Sequence, residues 1–418
     1  VRPFHFQLVV DLLTAIAAGT APADQVMHGA FRQHRQMGGR DRGLVAETVY
    51  HVLRHRRRLA RLAGSDAAAA LAAAAWLELG LVDSDTLTRF GFTGDARAIA
   101  HAVNEGLPAD APFADRASLP DWLADALSQQ FGESEAAALA DALNRPAPVD
   151  LRVNPLKTTR EALAGVLAAS GHPAVPTPWS PQGLRREDRA PLFNLPAFRE
   201  GLFEVQDEGS QLIGLLTAPQ PGERVLDLCA GAGGKTLHLG ALMQGRGAIV
   251  ACDVSARRLD QLKPRLARAG LSNVRLTPIR DENDAKLKRL RGGFDRVLVD
   301  APCSGTGTLR RNPDIKWRAL ELDQLLRTQA ALLDAAARLV KPGGRLVYAT
   351  CSLLDAENAA QIDAFLARHP EFRRMPVADS LREAGIDWPP TETDLRLLPH
   401  RHGTDGFYAA VLARGETG

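Results

Sequence analysis

Apolar positions recur at helical spacing through the first third of the chain. Val9, Leu12, Leu13 and Ile16 fall on one helix face, and Val45, Val49, Val52 and Leu53 on another. An alanine-rich helix is predicted from about Ala67 to Leu79. Prolines at Pro108, Pro112 and Pro120 break the pattern, and a last helix runs from about Pro120 to Leu143. This section reads as an all-α domain over residues 1–144. A proline-bearing joint follows, Arg145-Pro146-Ala147-Pro148. Then come a strand at Val149–Val153, a helix at Thr159–Ala169 and a turn-rich stretch to about Arg199, a small α+β unit over 145–201. From Leu202 the pattern alternates. Strands are predicted at Arg224–Cys229, Ala248–Cys252, Val274–Ile279, Arg296–Val299 and Arg345–Ala349. Helices are predicted at Lys235–Met243, Ser255–Ala269, Ala319–Val340 and Ala356–Ala367. Continuous apolar strands between helices imply a parallel sheet covered on both faces, an α/β domain over 202–418. Leu395–Leu398 and Phe407–Leu412 read as a closing hairpin.

Composition supports this picture. A chain of 418 residues allows two or three domains, and an apolar share of 45% supplies their cores. No stretch reaches the roughly 18 apolar residues of a membrane span, since the alanine-rich segment meets Glu78. No signal-peptide pattern opens the sequence, and Val1 in place of Met points to a trimmed terminus. Cys229, Cys252, Cys303 and Cys351 form no C-x-x-C pair, which argues against a zinc ribbon and a disulfide framework. Free thiols in a cytoplasmic protein without membrane or metal partners are expected. Net charge is only +2, yet residues 1–64 hold ten arginines against four acids. The run Arg54-His55-Arg56-Arg57-Arg58 reads either as a solvated helix face or as a phosphate-binding patch.

The densest chemistry begins at Val225–Thr236, a strand running into the glycine-rich turn Cys229-Ala230-Gly231-Ala232-Gly233-Gly234-Lys235 and a helix. Glycines let backbone approach a ligand, and a helix N-terminus offers free amides. A P-loop would need glycine where Cys229 stands, and a dinucleotide fingerprint would need glycine where Thr236 stands. An S-adenosylmethionine turn tolerates this looser spacing. Asp253, at the end of the next strand, can accept ribose hydroxyls or cap the following helix. Asp281 follows the third strand and can take an adenine amino group.

Asp300-Ala301-Pro302-Cys303-Ser304-Gly305 ends the fourth strand and Tyr348-Ala349-Thr350-Cys351-Ser352 the fifth. Ligands of an open parallel sheet bind outside the carboxyl ends of its strands, so Asp300, Cys303 and Cys351 should converge on the cofactor edge. Cys252, inside an apolar strand, reads as buried and inert. Thiols at such an edge suit covalent catalysis on a pyrimidine. Carbon 5 of cytosine is a poor nucleophile until a thiolate adds to carbon 6. A carboxyl such as that of Asp300 can stabilise the adduct at N3 and the exocyclic amine. Spacing alone leaves open which cysteine attacks.

These segments resemble the Sun/Fmu (RsmB-type) 16S ribosomal RNA cytosine-5 methyltransferases. The matching residues are Val205–Gln211, the Cys229–Thr236 loop, Asp300–Gly307, Arg310–Trp317, Ala349–Ser352, Glu357-Asn358 and Asp405–Phe407. Upstream, Leu151–Lys157 resembles the family's small RNA-recognition-like unit, and Arg40-Asp41-Arg42 with Glu47, Tyr50 and Leu53–His55 resembles its helical NusB-like domain. The resemblance implies a Rossmann-like class I methyltransferase sheet, S-adenosylmethionine as methyl donor and 16S ribosomal RNA as partner, acted on by a monomer. It also implies Cys351 as nucleophile, Cys303 in product release, and Cys229, Ala230, Gly231, Ala232, Gly233, Gly234, Lys235, Asp253, Asp281 and Asp300 around the cofactor. The chain departs from the family pattern at Gly231-Ala232, where alanine-proline is commoner, and at Glu282, where glycine usually follows the acid. A transfer RNA or another ribosomal cytosine is the alternative target. A non-catalytic RNA-binding assembly factor needs neither cysteine, and a NAD-dependent oxidoreductase conflicts with the failed fingerprint.

Overall fold

The structure is a computed structural model that describes residues 1–19, 21–187, 192–389 and 392–416. The chain divides into two compact units. The first is Val1–Pro146 with Thr308–Leu320, and the second is Ala147–Gly307 with Glu321–Gly418.

The first unit is helical: α1 (Pro3–Ala17), α2 (Ala23–Gln33), α3 (Gly39–Ala63), α4 (Ala68–Glu78), α5 (Ser84–Arg89), α6 (Ala96–Glu105), α7 (Phe113–Ala117), α8 (Asp121–Phe131) and α9 (Glu133–Leu143). The periodic positions of α1 and α3 face a common core, with Val9, Val45, Val49 and Val52 fully buried. Ala72–Ala75 of α4 are also fully buried. Their small side chains let neighbouring helices approach. Trp76 closes the layer, its indole N–H donating to Thr48 Oγ1 at 3.2 Å.

Near its middle, α3 is interrupted at His55, whose φ of −113° and ψ of 18° leave the helical region. A break of this kind frees carbonyls of the preceding turn, which must find other donors. The segment Thr308–Leu320 supplies them. Trp317 Nε1 donates to Leu53 O at 2.7 Å, and Lys316 Nζ donates to Arg54 O at 3.0 Å. The same ammonium reaches Ser118 O at 3.2 Å and Asn144 Oδ1 at 2.5 Å, tying α3, α7 and α9 together. Burial, with Arg54 nearby, pushes the Lys316 ammonium down to about 7. Nothing in the helical periodicity signals that residues 308–320 belong to this unit, and the helix expected at Ala319–Val340 starts only at Leu322.

The arginine run fits neither of its expected readings. Arg57 pairs with Asp115 at 2.5 Å and Asp121 at 2.6 Å, and Arg58 pairs with Glu78 at 2.6 Å. Arg54 is buried and donates to Arg310 O at 3.1 Å, while the Arg56 guanidinium lies 5.4 Å from the Trp317 ring centre. The run holds the helical unit together from inside. Arg32, Arg35 and Arg40, around the turn between α2 and α3, are exposed instead.

In the second unit, a four-stranded antiparallel sheet has the order β2-β3-β1-β4, with β1 at Val149–Val153, β2 at Val175–Pro176, β3 at Gly183–Arg186 and β4 at Phe203–Val205. Helix α10 (Arg160–Ala169), capped by Thr159, brings Leu163 and Leu167 into a core with Leu151, Val153, Leu184 and Phe203. The sheet runs past the boundary expected at residue 201. Its fourth strand is three residues long, too short to carry a period, and is held by its pairing with β1. Residues 188–191 of the expected turn-rich stretch lie outside the described residues.

The larger sheet contains β5 (Arg224–Asp227), β6 (Ala248–Asp253), β7 (Val274–Pro278), β8 (Phe294–Asp300), β9 (Val340–Thr350), β10 (Phe372–Met375), β11 (Leu395–Leu397) and β12 (Phe407–Arg414). Its order is β10-β12-β9-β8-β5-β6-β7, with β11 paired to β12. Strands β5 to β9 run parallel, and β12 lies antiparallel on β9. The expected closing hairpin forms, with Leu395 opposite Ala409, while the unexpected β10 adds an edge. Alternate residues of β5, β8 and β9 enter different cores. Leu226, Val297, Leu346 and Tyr348 share one, Val225, Leu298, Val347 and Ala349 the other. This two-sided burial is what the continuous apolar strands imply.

Arg57→Ala should destabilise the helical unit, because Asp115 is only 6% exposed and loses its closest partner. A loss of about 2 kcal/mol is expected, below the roughly 3–5 kcal/mol of a fully buried pair because Arg57 is partly exposed. Thermal or denaturant unfolding measures it, and a variant as stable as the parent would return the run to solvent.

Candidate active site

Strand order reverses at β5, which has β6 on one side and β8 on the other. Such a switch point opens a crevice beyond the carboxyl ends of the strands. A cavity of about 480 Å³ lies there. Cys229, Ala230, Gly231, Ala232, Gly234 and Lys235 line it, as do Asp253, Asp281, Asp300, Cys303 and Cys351. Gly233, alone among the expected residues, does not line it. Its φ of +86° and its contact with Leu262, which a Cβ would overlap, make it the hinge of the turn. Helix α11 (Gly234–Leu242) starts directly after it.

Asp253 is nearly buried. Its Oδ2 accepts from Gly231 N at 2.8 Å and its Oδ1 from Ser255 N at 2.7 Å. It therefore fastens the glycine turn to β6 and holds Ser255, the cap of helix α12 (Ala256–Ala269), while also facing the cavity. Asp281 is exposed at the rim, its Oδ1 accepting from Asn283 N at 2.9 Å. Val254, 63% exposed, adds apolar lining to the cavity, as do Ile279 and Leu332.

Asp300 Oδ2 accepts from Lys235 Nζ at 2.8 Å. Burial opposes the Lys235 charge, but Asp300 and then Cys351 outweigh it and hold the ammonium above its ordinary value. The Phe407 ring lies 5.6 Å from the same nitrogen. Cys303 Sγ and Cys351 Sγ are 3.4 Å apart, both partly exposed. Hydrogen bonding to Cys351, then burial, pushes the Cys303 thiol well up. Cys252 is buried and pushed up to about 12 by that burial, in keeping with an inert core thiol.

Several residues of the matched segments take a part here that the sequence did not assign them. Arg152 of β1 is buried and donates to Gln206 Oε1 and, at 2.7 Å, to Gly234 O, so the small sheet supports the glycine turn. Gly406 N donates to Gly307 O at 2.8 Å, and a Cβ on Gly307 would overlap Gly406. This close approach explains why the Asp405–Phe407 and Asp300–Gly307 motifs both need glycine. Gln206 could be found from its resemblance segment, but the contact of Arg152 with the turn only from the fold.

A doubly covered parallel sheet with a glycine turn at its switch point and strand-end acids defines a Rossmann-like methyltransferase, whose methyl donor is S-adenosylmethionine. Comparison with known proteins narrows the class. A family model described as 16S rRNA methyltransferase RsmB/F matches residues 214–413, and one described as an RsmF/B-like methyltransferase ferredoxin-like domain matches 119–192. The probable ribosomal RNA small subunit methyltransferase B of Synechocystis is 40% identical over 300 residues, 71% of this chain and 67% of the relative. Ribosomal RNA small subunit methyltransferase B of Salmonella arizonae is 38% identical over 318 residues, 75% of this chain and 69% of the relative. Among solved structures, that of PH0851 superposes with a TM-score of 0.79 at 28% identity, covering 100% of this chain and 99% of the other. A methyltransferase homolog protein from Pyrococcus horikoshii gives 0.60 at 30% identity, covering 72% and 97%. The chain belongs to the RsmB/F family of 16S rRNA methyltransferases. No described helix is long and apolar enough to cross a membrane.

Beneath the glycine turn, Asp227 is 1% exposed and accepts from Thr236 Oγ1 at 2.7 Å. Burial drives its carboxyl up to about 7, with the Thr236 hydroxyl working against the rise and the Asp300 charge adding to it. The folded state keeps this proton to about pH 7, whereas the unfolded chain releases it near 3.8. Between those values the unfolded state binds fewer protons, so stability falls as pH rises and levels off above about 7. Asp227→Asn removes the titration yet can still accept from Thr236. Its stability relative to the parent should climb by up to about 1.4 kcal/mol per pH unit across that window. Denaturant titrations over the pH range check this, and a constant offset would refute it.

Proposed function

We propose that the enzyme methylates carbon 5 of a cytosine in 16S ribosomal RNA, with Cys351 as nucleophile, as a monomer in the cytoplasm. The observation that carries this reading is the pair of thiols 3.4 Å apart on a cavity edge that also holds the Lys235–Asp300 ion pair. A binding factor has no use for such an arrangement.

The cavity fits S-adenosylmethionine. Val254, Ile279 and Leu332 offer an apolar shelf for a base, and Asp253 and Asp281 offer carboxylates for ribose hydroxyls and an amino group. The turn from Cys229 to Lys235, with φ of +56° at Gly231, gives close backbone approach to the amino-acid end. Bound there, S-adenosylmethionine would supply an electrophilic sulfonium methyl to carbon 5.

Cys351 sulfur would form a bond to carbon 6 of the cytosine while the carbon 5–carbon 6 π pair shifts toward carbon 5, making it nucleophilic. Asp300, ion-paired to Lys235, is set to meet N3 and the exocyclic amine. Cys303 serves release. At that step Cys303, having given its own proton to water, takes the carbon 5 proton as a thiolate. That bond's electron pair restores the carbon 5–carbon 6 double bond, and the Cys351 sulfur–carbon 6 bond breaks with its pair returning to sulfur. Hydrogen bonding to Cys351 and burial hold the Cys303 thiol well up, which disfavours Cys303 as the attacker.

Cys351→Ala should form no RNA adduct and lose methylation while still binding S-adenosylmethionine. Cys303→Ala should attack and transfer the methyl, then stall as a covalent protein–RNA complex. Denaturing electrophoresis detects it, with label from the methyl donor travelling with the protein. Trapping by Cys351→Ala alone would reverse the two roles, and full activity of both variants would rule out covalent catalysis.

For RNA affinity, the exposed Arg32, Arg35 and Arg40 replace the internally paired run as phosphate contacts. Neutralising all three should flatten the salt dependence of RNA binding by roughly 0.7–0.9 units of slope per lost contact. An unchanged slope would exclude this face.

A further inference from the structure

Below the two thiols lies an acid to which the reaction so far gives no part. Glu357, in the 3-10 turn Asp355–Glu357, is fully buried. Its Oε1 accepts from Ser304 N at 2.8 Å and from Gln329 Nε2 at 3.0 Å. Its Oε2 accepts from Ser304 Oγ at 2.5 Å and from the Ser352 hydroxyl. A carboxylate has about four acceptor positions, and all four are used. Ser304 directly follows Cys303, and Ser352 directly follows Cys351. One side chain therefore grips both thiol-bearing loops, while Gln329 also donates to Pro302 O at 3.0 Å. The turn itself is anchored, since Tyr348 Oη donates to Glu357 O at 2.7 Å. Asn358 links Thr350 and Ser352 from behind.

We propose that Glu357 is the positioning residue of the thiol pair, fixing the two loops at working separation and making the two sulfurs unequal. Three of its four hydrogen bonds go to Ser304 and Gln329, on the Cys303 side, and only one to Ser352. A buried negative charge beside Cys303 disfavours a second negative charge there, in the same direction as Cys351 and burial. Other titratable groups around the pair include Lys235, Asp300 paired to it at 2.8 Å, and Tyr348, which interacts with Cys303. Charge on Cys303 is thereby disfavoured, and Cys303 keeps its proton until the release step. This inference rests on the covalent reading above and adds the residue that assigns the order of the thiols.

Two variants separate grip from charge. In Glu357→Gln the amide oxygen can still accept from Ser304 N and Gln329, and its NH2 can donate to the two serine hydroxyls. The grip survives and the charge is gone. The double variant Ser304→Ala with Ser352→Ala keeps the charge and removes two of the links. Iodoacetamide alkylation of each thiol, followed by mass spectrometry across pH, needs neither RNA nor cofactor. The parent should alkylate at Cys351 in preference to Cys303. Glu357→Gln should bring the Cys303 midpoint to lower pH and narrow the preference by about tenfold, the effect of one pKa unit. The serine double variant should keep the preference but lower kcat without raising KM for S-adenosylmethionine. Unchanged midpoints in a folded Glu357→Gln, or a serine double variant with parental kcat, would overturn the proposal. Should Glu357→Gln fail to fold, the serine double variant decides alone. If the parent forms no RNA adduct while the alkylation preference stands, the covalent reading fails and the positioning role survives.

Discussion

Parallel strands that share one hydrogen-bonded sheet must end on the same edge, and this constraint organises the active site. Asp253, Asp300 and Cys351 each sit at or one residue beyond the end of a different strand, far apart in sequence and gathered without any long-range pattern of their own. The reversal of order at β5 then opens the crevice they line. Loops placed this way would still be loose. What fixes them is a second layer of buried polar groups: Asp227 under the glycine turn, Arg152 beside it, and Glu357 under the thiols. Each is desolvated, so each is costly unless its hydrogen bonds are filled.

The helical unit uses charge in the same manner. A helix interrupted at His55 exposes carbonyls that a regular helix would have satisfied itself. Lys316 and Trp317 take them up from a segment more than 250 residues away in sequence. That segment, Thr308–Leu320, directly follows the loop bearing Cys303, so the residues after a cavity-lining loop are spent on stabilising the helices. Arg57 and Arg58 serve the same end through Asp115, Asp121 and Glu78. Clustered arginines in a sequence are therefore poor guides to an RNA surface where acids lie within reach in the fold.

Two adjacent thiols raise a problem that geometry alone leaves open, since both sulfurs face one cavity only 3.4 Å apart. Electrostatics separates them. The Cys351 hydrogen bond, burial and the Glu357 charge all hold the Cys303 thiol up. Once one sulfur is charged, its neighbour at 3.4 Å resists losing its own proton.

The sequence by itself determined the sheet and the site edge. Fully buried strands of a parallel sheet must be apolar along their whole length, so β5, β6, β8 and the end of β9 could be read directly, as could the glycine turn that ends β5. Strand-end placement of Asp300, Cys303 and Cys351 followed from the same period. The three-residue β4, the β10 edge and the transfer of residues 308–320 to the helical unit could not be read. Each is too short to show a period and is held by partners distant in the chain. Likewise, the arginine run offered two open readings and took neither, because Asp115 and Glu78 reach it only after folding. Glu357 appeared as part of a matched segment without a role, and only its four donors, drawn from three separate stretches of chain, give it one. Local pattern fixes which residues are buried; which buried polar groups meet is decided by tertiary packing, since a hydrogen-bond partner leaves no periodic trace in the sequence.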